Sequence, residues 1–445
     1  MAKVPLNYDL KVEYISLDNL EKYSNNPRQH GFKQLAKLGN SIEKFGFVNP
    51  ILIDENNIII AGEARLHAAR GICLKSVPVI RLTHLTEAQK RAYRIADNRL
   101  AEQGTWSLEK LQFEFQQIEI SEPQLSLDIT GYDMGEIDVI LEGEQSKSDP
   151  KINNIPFIAD NEIVTQEGDM WQLGAHRIIC GNSLQRETLI TLMDGRKGDM
   201  VFADPPYNVK INGHVCGAGS VKHAEFKFAS GEMTSEEFIK FLRTSFELLC
   251  EFTKDGSLHY ICMDWRHCKE ILTAAEVYDQ FKNLCVWRKD NAGMGSFYRS
   301  QHELVFMFKH GKQPHINNVE LGVHGRYHTN VWSYPGVNTP SVENTQKMAM
   351  HPTVKPVEMI KDAILDASNR GGIVIDTFLG SGSTLIAADK AGRICYGVEL
   401  EPKYIDTAIR RYEELGKDKV AIHIPTGKTY KELLSAKLAK GGKYE

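Results

Sequence analysis

The run VFADPPYNVK, Val201 to Lys210, ends an apolar stretch on an acid, two prolines and an aromatic ring. Proline fixes its own φ and has no N–H for a sheet ladder, so a strand entering here must stop near Asp204. Beyond the strand lies a rigid lip in which Pro205 and Pro206 hold one carboxylate, Asp204, and one aromatic ring, Tyr207. A chain rarely builds such a lip for packing alone, yet Asp-Pro is also an ordinary turn opener. Both readings stand on this stretch by itself.

A second candidate lies in GIVIDTFLGSGSTLIAADKAGRICYGVEL, Gly372 to Leu400, which reads as strand, glycine turn, helix and strand. Gly380 and Gly382 let the backbone turn tightly and approach a ligand closely. Glu399 closes the next strand, where a carboxylate can chelate two ribose hydroxyls. A dinucleotide fingerprint would put a third glycine where Leu385 stands, and a phosphate loop would need a lysine that Ser383-Thr384 lacks. The Gly427–Thr429 "GKT" has Ile422 in place of the first glycine of such a loop and is rejected. The turn therefore fits a nucleoside ligand with no pyrophosphate, of which S-adenosylmethionine is the common example, or else it is an unrelated structural turn.

The elements that must position these residues are set by pattern. At 445 residues more than one domain is expected, and 42% hydrophobic with 25% charged residues describes a globular chain with ample core. Residues 1–105 mix helical spacing (FKQLAKLGNSIEKFG) with a hairpin reading (PILIDENNIIIAG). Residues 106–160 form an acidic helical connector and linker, and from 161 to 425 short apolar runs alternate with helical patterns. That alternation predicts an α/β sheet covered by helices on both faces. The Lys-rich tail, 426–445, reads as a surface helix.

Net charge is −5, but it is uneven: residues 1–100 hold 15 basic and 10 acidic residues, 101–162 hold 3 and 14, and 281–330 hold 7 and 3. Local patches rather than the total govern phosphate binding. The eight cysteines are scattered with no Cys-x-x-Cys pair, which points to a reducing compartment and against a zinc site. With no apolar signal core and no run near 18 apolar residues, the chain is expected in the cytoplasm with no membrane partner.

Taken together, Asp204-Pro205-Pro206-Tyr207 and Asp376-x-Phe378-x-Gly380-x-Gly382 resemble the amino-methylating DNA methyltransferases. The order, acceptor motif first and cofactor motif last, is similar to the beta class of that family. HPTVKP (His351–Pro356), GDMWQLGAHRIICGNS (Gly168–Ser183) and VWRKDNAGMGSFYRSQHELVFMFKHG (Val286–Gly311) resemble its remaining elements. The resemblance implies a Rossmann-like, S-adenosylmethionine-dependent domain over about 161–415, with Thr353 and Lys355 joining Asp376, Phe378, Gly380, Gly382 and Glu399 around the cofactor.

It also implies what the lip does. An exocyclic amino group is a poor nucleophile because its lone pair is delocalised into the ring. Accepting its two hydrogens on Asp204 and on the Pro205 carbonyl localises that pair, and the prolines keep both acceptors preorganised. Tyr207 stacks on the flipped base. Methylation at cytosine C5 would need a cysteine after a proline, and none of the eight stands there. His214, Cys216 and His223 lack paired spacing and read as loop residues, so no metal is expected. Asp-Pro-Pro-Tyr goes mostly with adenine in the family, while Asn182 stands where relatives commonly place an aspartate near the target base.

For duplex DNA, the region 286–350 mixes Arg288, Lys289, Arg299 and Arg326 with Phe297, Tyr298, Tyr327, Trp332 and Tyr334. A loop-rich cover on the cofactor pocket accounts for half of these aromatics as well. A weaker DNA-facing loop is expected over 208–235. NNPRQH, AGEARLHAAR and ADNRL resemble the ParB/sulfiredoxin nuclease-like fold, a smaller α+β domain, with Gly62, Glu63, Arg65 and Ala68 matching a phosphate-site box in which Ala64 and His67 replace arginines. Arg28 and Arg65 are the DNA candidates there, with a bound nucleotide or a helix without ligand as the other readings. A homodimer is left open.

Overall fold

The structure, a computed structural model, describes residues 8–143, 150–209, 231–292, 297–323, 326–336 and 354–441. The chain divides into two compact units, Met1–Glu144 and Gln145–Glu445.

In the first unit, β-branched runs form β1 (Val12–Ser16), β2 (Ile51–Ile53), β3 (Ile59–Ala61) and β4 (Ser76–Arg81), in the order β1-β4-β2-β3. β2 and β3 make the expected hairpin, and Asp54 Oδ1 accepts the Asn56 and Ile58 N–H groups at 2.8 and 2.9 Å to close its turn. Ile51, Ile53, Ile59, Val77 and Val79 pack with Leu66 of the helix Glu63–Gly71. Asp54, Glu55 and Glu87 converge here, and the Lys90 ammonium lies among them, 2.9 Å from Glu55 and 2.8 Å from Glu87.

The acidic stretch expected as a connector instead folds into this unit. Its helices, Leu108–Ser121 and Met134–Glu142, bury Leu111, Phe115 and Ile137 together with Leu127. Asp133 pairs with Lys37 at 2.8 Å and Lys33 at 3.2 Å, both on the basic helix Phe32–Phe45. The charge imbalance along the sequence is thus partly settled inside one unit.

Among its described residues the second unit has ten strands: β5 (Met170–Leu173), β6 (His176–Cys180), β7 (Gly198–Ala203), β8 (Thr253–Met263), β9 (Gln280–Arg288), β10 (His302–Lys309), β11 (Val331–Ser333), β12 (Ile373–Asp376), β13 (Ile394–Glu399) and β14 (Ala421–His423). Their order is β11-β9-β10-β8-β7-β12-β13-β6-β5-β14. The five central strands, β8-β7-β12-β13-β6, run parallel, and antiparallel pairs flank them on both sides. Alternate residues of one strand feed opposite faces: Met200 and Phe202 of β7 join one core, Val201 and Ala203 the other. Helices Val357–Ala367, Ser383–Lys390 and Pro402–Glu413 cover the first face; Arg186–Met193 and Ser235–Phe252 cover the second. The long helix Ser235–Phe252 starts at a capping box between Thr234 and Glu237.

From β7 the chain moves outward to β8, whereas from β12 it moves the opposite way to β13. The switch point therefore falls between the carboxyl ends of β7 and β12, where open α/β sheets bind ligands. Asp204 lies just past the first end and Asp376 closes the second.

At the start of this unit one expectation is corrected: Ile152, on the stretch taken for a linker, is buried in the core. The tail folds as a surface helix, Tyr430–Gly441, anchored at its first residue. Tyr430 is 1% exposed, packs edge-on against Trp171 at 5.7 Å and accepts a hydrogen bond from Arg410 Nε at 3.1 Å. Among the described residues no helix is long and apolar enough to cross a membrane.

Tyr430→Ala should therefore destabilise the second unit by about 3 kcal/mol. Its thermal transition, monitored by circular dichroism, should fall by roughly 5–10 °C. Leu438→Ala, on the exposed side of the same helix, should leave it unchanged.

Candidate active site

Asp204 sits on the rigid lip just beyond β7, with both carboxylate oxygens engaged. Oδ1 accepts the Tyr207 hydroxyl at 2.7 Å and Oδ2 accepts Lys355 Nζ at 2.6 Å. Glu303, one residue into β10, meets the same two groups: its Oε2 lies 3.2 Å from the Tyr207 hydroxyl and 3.1 Å from Lys355 Nζ. Its other oxygen accepts Lys289 Nζ. Lys289 in turn lies over the Trp287 ring, 4.7 Å from its centroid. Two carboxylates, two ammonium groups and one phenol thus form a single cluster of balanced charge.

Burial raises the Asp204 pKa above the usual carboxylate range, and Lys355 pulls against that rise. Burial alone would also discharge Lys355, but Asp204 and Glu303 outweigh it and raise its pKa. For Glu303, burial is outweighed by Lys355 and Lys289, which hold its carboxyl at about 2. Tyr207 is pushed well above its ordinary range by burial and by the two acids, so it stays a hydrogen-bond donor.

The glycine turn faces this cluster across one cavity, lined by Asp204 to Tyr207 on one side and by Asp376 to Ser381 and Glu399 on the other. Gly380 has φ +53° and donates its N–H to Glu399 Oε2 at 2.8 Å, while the Glu401 N–H reaches Oε1 at 2.8 Å. A Cβ on Gly380 would meet nothing closer than the Phe378 carbonyl at 4.0 Å, so this glycine keeps a ligand's path clear. Gly382 has another reason to be glycine. With φ +85° it opens the helix Ser383–Lys390, and a Cβ there would stand 2.7 Å from the Ala408 Cβ. Its need is helix packing rather than ligand approach.

Asp376 accepts the Phe378 N–H at 2.9 Å, and burial pushes its carboxyl up to about 7. Burial raises Glu399 as well. Thr377 Oγ1 is buried in the lining with no partner among the described residues. Two under-compensated acids and one orphaned hydroxyl in a largely apolar cavity suit a nucleoside that carries a positive charge.

Asn182 also lines the cavity, and its Oδ1 accepts the Leu184 N–H at 2.9 Å. Lys355 lines it too, but its ammonium lies on Asp204 and Glu303 rather than with the cofactor residues, because the switch point brings the two strand ends together. Thr353, with His351 before it, lies outside the described residues, as does most of the loop expected over 208–235. Asn208 is described and bonds to the far side of that loop: its Oδ1 accepts the Gly231 and Met233 N–H groups at 3.0 and 3.2 Å.

Arg288 is exposed at the end of β9, on the same sheet edge as Asp204. Phe297 and Tyr298 are 86% and 82% exposed there, and Arg299 donates to the Ala292 carbonyl at 2.9 Å. Lys289 belongs to the acid cluster already described. Arg326 departs from the DNA expectation: it is 5% exposed and pairs with Asp366 at 2.9 Å, which a buried guanidinium requires. Trp332 and Tyr334 are partly buried against the core and are not among the residues that line the cavity.

In the first unit, Arg65 folds over Gly62 and donates to the Asn49 and Pro50 carbonyls at 2.7 and 3.1 Å, while Arg28 pairs with Glu102 at 2.9 Å. Both candidate phosphate ligands have partners within their own unit.

Residue types alone did not single out Glu303 or Arg411. The only sign of Glu303 is an acid heading the apolar strand HELVFMFK. Arg411, 3% exposed, supports the glycine turn from behind: Nη1 donates to the Ser381 carbonyl at 2.7 Å and Nη2 to the Ile152 carbonyl at 3.1 Å. Burial lowers its pKa to about 10.

Comparison with known proteins covers both units. Residues 198–410 match the DNA methylase family model for N6 and N4 methyltransferases, and residues 6–99 match the ParB N-terminal domain. The ParB-like nuclease domain-containing protein YnaK of Escherichia coli K12 is 48% identical over 82 residues, 18% of this chain and 94% of that protein. DNA adenine methyltransferase YhdJ of the same organism is 28% identical over 244 residues, 48% of this chain and 76% of that protein. The crystal structure of the M1.HpyAVI–SAM complex aligns with a TM-score of 0.38 at 19% identity, covering 53% of this chain and 97% of that one.

Arg411→Met should leave the Ser381 carbonyl unsatisfied and loosen the turn. Amide hydrogen exchange over 379–384 should speed up by about ten-fold or more, as expected for a loss of roughly 1–3 kcal/mol. Exchange in β8 should not change.

Proposed function

This chain belongs to the DNA methylase family of N6 and N4 methyltransferases and carries a ParB N-terminal domain, and we propose that its substrate is the N6 amino group of adenine in duplex DNA. Its cofactor is S-adenosyl-L-methionine. When bound, that cofactor supplies an electrophilic methyl group on a sulfonium centre. Glu399 would take the ribose hydroxyls, Asp376 and Thr377 the polar and cationic parts, and Gly380 the close backbone approach.

The observation that carries the reading is a half-buried, ion-paired Asp204 on a proline-held lip that shares one cavity with those residues. Asp204 would accept one N–H of the amino group and the Pro205 carbonyl the other, localising the lone pair on nitrogen. The prolines make this an acceptor pair that need not reorganise. Hydrogen bonds to Asp204 and Glu303 fix the Tyr207 ring, so its stacking on the flipped base would be worth about 1–3 kcal/mol. That offsets part of the few kcal/mol that flipping costs. Adenine rather than cytosine is supported by the Asp-Pro-Pro-Tyr motif and by the named activity of YhdJ, a relative of this chain.

Arg288, Phe297, Tyr298 and Arg299 would contact the duplex from the sheet edge beside Asp204. For the first unit, Arg28 and Arg65 are engaged internally, so a DNA or nucleotide contact would be made by other groups of that unit, with a helix without ligand as the other reading.

Asp204→Ala should abolish methyl transfer to unmethylated bacterial chromosomal DNA while cofactor affinity by calorimetry stays within about three-fold, since Asp204 would touch the base and not the cofactor. Mass spectrometry of the digested wild-type product should show N6-methyl-2′-deoxyadenosine. N4-methylcytosine would overturn the choice of base, and loss of cofactor binding in the variant would overturn the division of roles. Because Asp204 must be ionised to accept, and burial raises its pKa, the wild-type rate should fall on acidification at a pH above the ordinary aspartate value of about 4.

A further inference from the structure

Both groups that hold the Asp204 oxygens are shared with a second acid. Lys355 Nζ is 2.6 Å from Asp204 Oδ2 and 3.1 Å from Glu303 Oε2. The Tyr207 hydroxyl is 2.7 Å from Asp204 Oδ1 and 3.2 Å from the same Glu303 oxygen. A lip that only had to present one carboxylate would need neither arrangement.

We propose that Lys355 and Glu303 are positioning residues for Asp204: Lys355 keeps it ionised and aimed, and Glu303 takes over the Lys355 ammonium when Asp204 becomes protonated. This rests on the function proposed above.

The cluster lies where a bare charge is costly, so its charges must stay matched. The Lys355 side chain is 4% exposed, Glu303 14% and Asp204 24%. A carboxylate buried there without a cation would be held neutral, and a neutral acid carries an O–H donor on one oxygen where the ionised form only accepts. In the structure, Asp204 and Glu303 are balanced by Lys355 and Lys289. Were a methyl group transferred to the amino nitrogen, with the pair of the broken bond left on the sulfur of its donor, one amino proton would pass to an Asp204 oxygen. Asp204 is then neutral, and Lys355 has lost a counter-ion. Glu303, already within ion-pair distance, receives it without a large movement. Its carboxyl remains charged throughout because two ammonium groups face it. Two further titratable groups face Asp204: Cys262, whose buried thiol stays protonated, and Asp376 across the cavity.

The test needs neither cofactor nor DNA. In full-length protein labelled with 13C-carboxyl aspartate, the Asp204 resonance is assigned by its loss in Asp204→Asn and titrated with pH. Lys355→Met removes the cation and should move the Asp204 midpoint up by about one pH unit or more. Glu303→Gln removes a neighbouring negative charge and should move it down, and Lys355→Arg should restore it to near the wild-type value. Opposite directions distinguish a clamp from general damage to the fold. Should Lys355→Met fail to fold, Glu303→Gln and Lys355→Arg, which nearly preserve volume and shape, carry the test.

The acid limb of kcat/KM for methyl transfer should track the midpoint in each variant. A midpoint unmoved in both Lys355→Met and Glu303→Gln, or an acid limb that ignores it, overturns the proposal. Midpoints that move as expected in a protein that methylates no DNA would support the clamp and sink the functional reading instead.

Discussion

The ion pair between Lys355 and Asp204 joins positions 151 residues apart, and the arrangement of the site depends on it. Asp204 lies just after β7, whereas Lys355 stands shortly before the helix Val357–Ala367, which packs over the first face of the sheet. Neither charge is stable alone at its depth. Together with Glu303 and Lys289 they are, and the cluster pins the lip, the start of β10 and the approach to that helix to one another. No member of the cluster can be replaced singly without unbalancing its charge.

The parallel strands explain why the cluster meets the cofactor residues at all. β7 and β12 are neighbours whose succeeding elements depart in opposite directions, so a crevice opens between Asp204 and Asp376. The glycine turn is held in that crevice by two supports. From the side, Gly382 lets the helix Pro402–Glu413 come within packing distance; from behind, Arg411 bonds the Ser381 carbonyl. The turn is thus rigid on its protein side and open on the side of Gly380, as a site for a flat, rigid ligand should be.

Motifs whose chemistry is local were legible from residue types. Two prolines after an acid end a strand wherever they occur, and a strand–glycine–helix run that closes on Glu399 has few other uses. The alternating elements of the second unit announced a layered parallel sheet for the same reason. The features that stayed hidden depend on partners far along the chain. Nothing in HELVFMFK says that its acid shares a lysine with Asp204, and nothing in the spacing of Arg411 says that it supports a turn thirty residues away. Arg326 has the composition of a DNA contact but sits among Asp362 and Asp366, and only the fold reveals that it is a buried ion-pair member. The acidic stretch 106–143 misled in the same way. Charge density suggested a solvated connector, while its Leu111, Phe115 and Ile137 carried the outcome.

On the proposed function, an amino group on a flipped base is received by Asp204 and the Pro205 carbonyl within the cavity lined by Asp376, Gly380 and Glu399. The decisive measurement is a crystal structure of the full chain with a cofactor analogue that cannot donate its methyl group and with duplex DNA containing the recognition site. The target adenine N6 is expected at about 3 Å from both an Asp204 oxygen and the Pro205 carbonyl, stacked on Tyr207. A target base that stays in the helix, or whose amino group is bound by other residues, would contradict it.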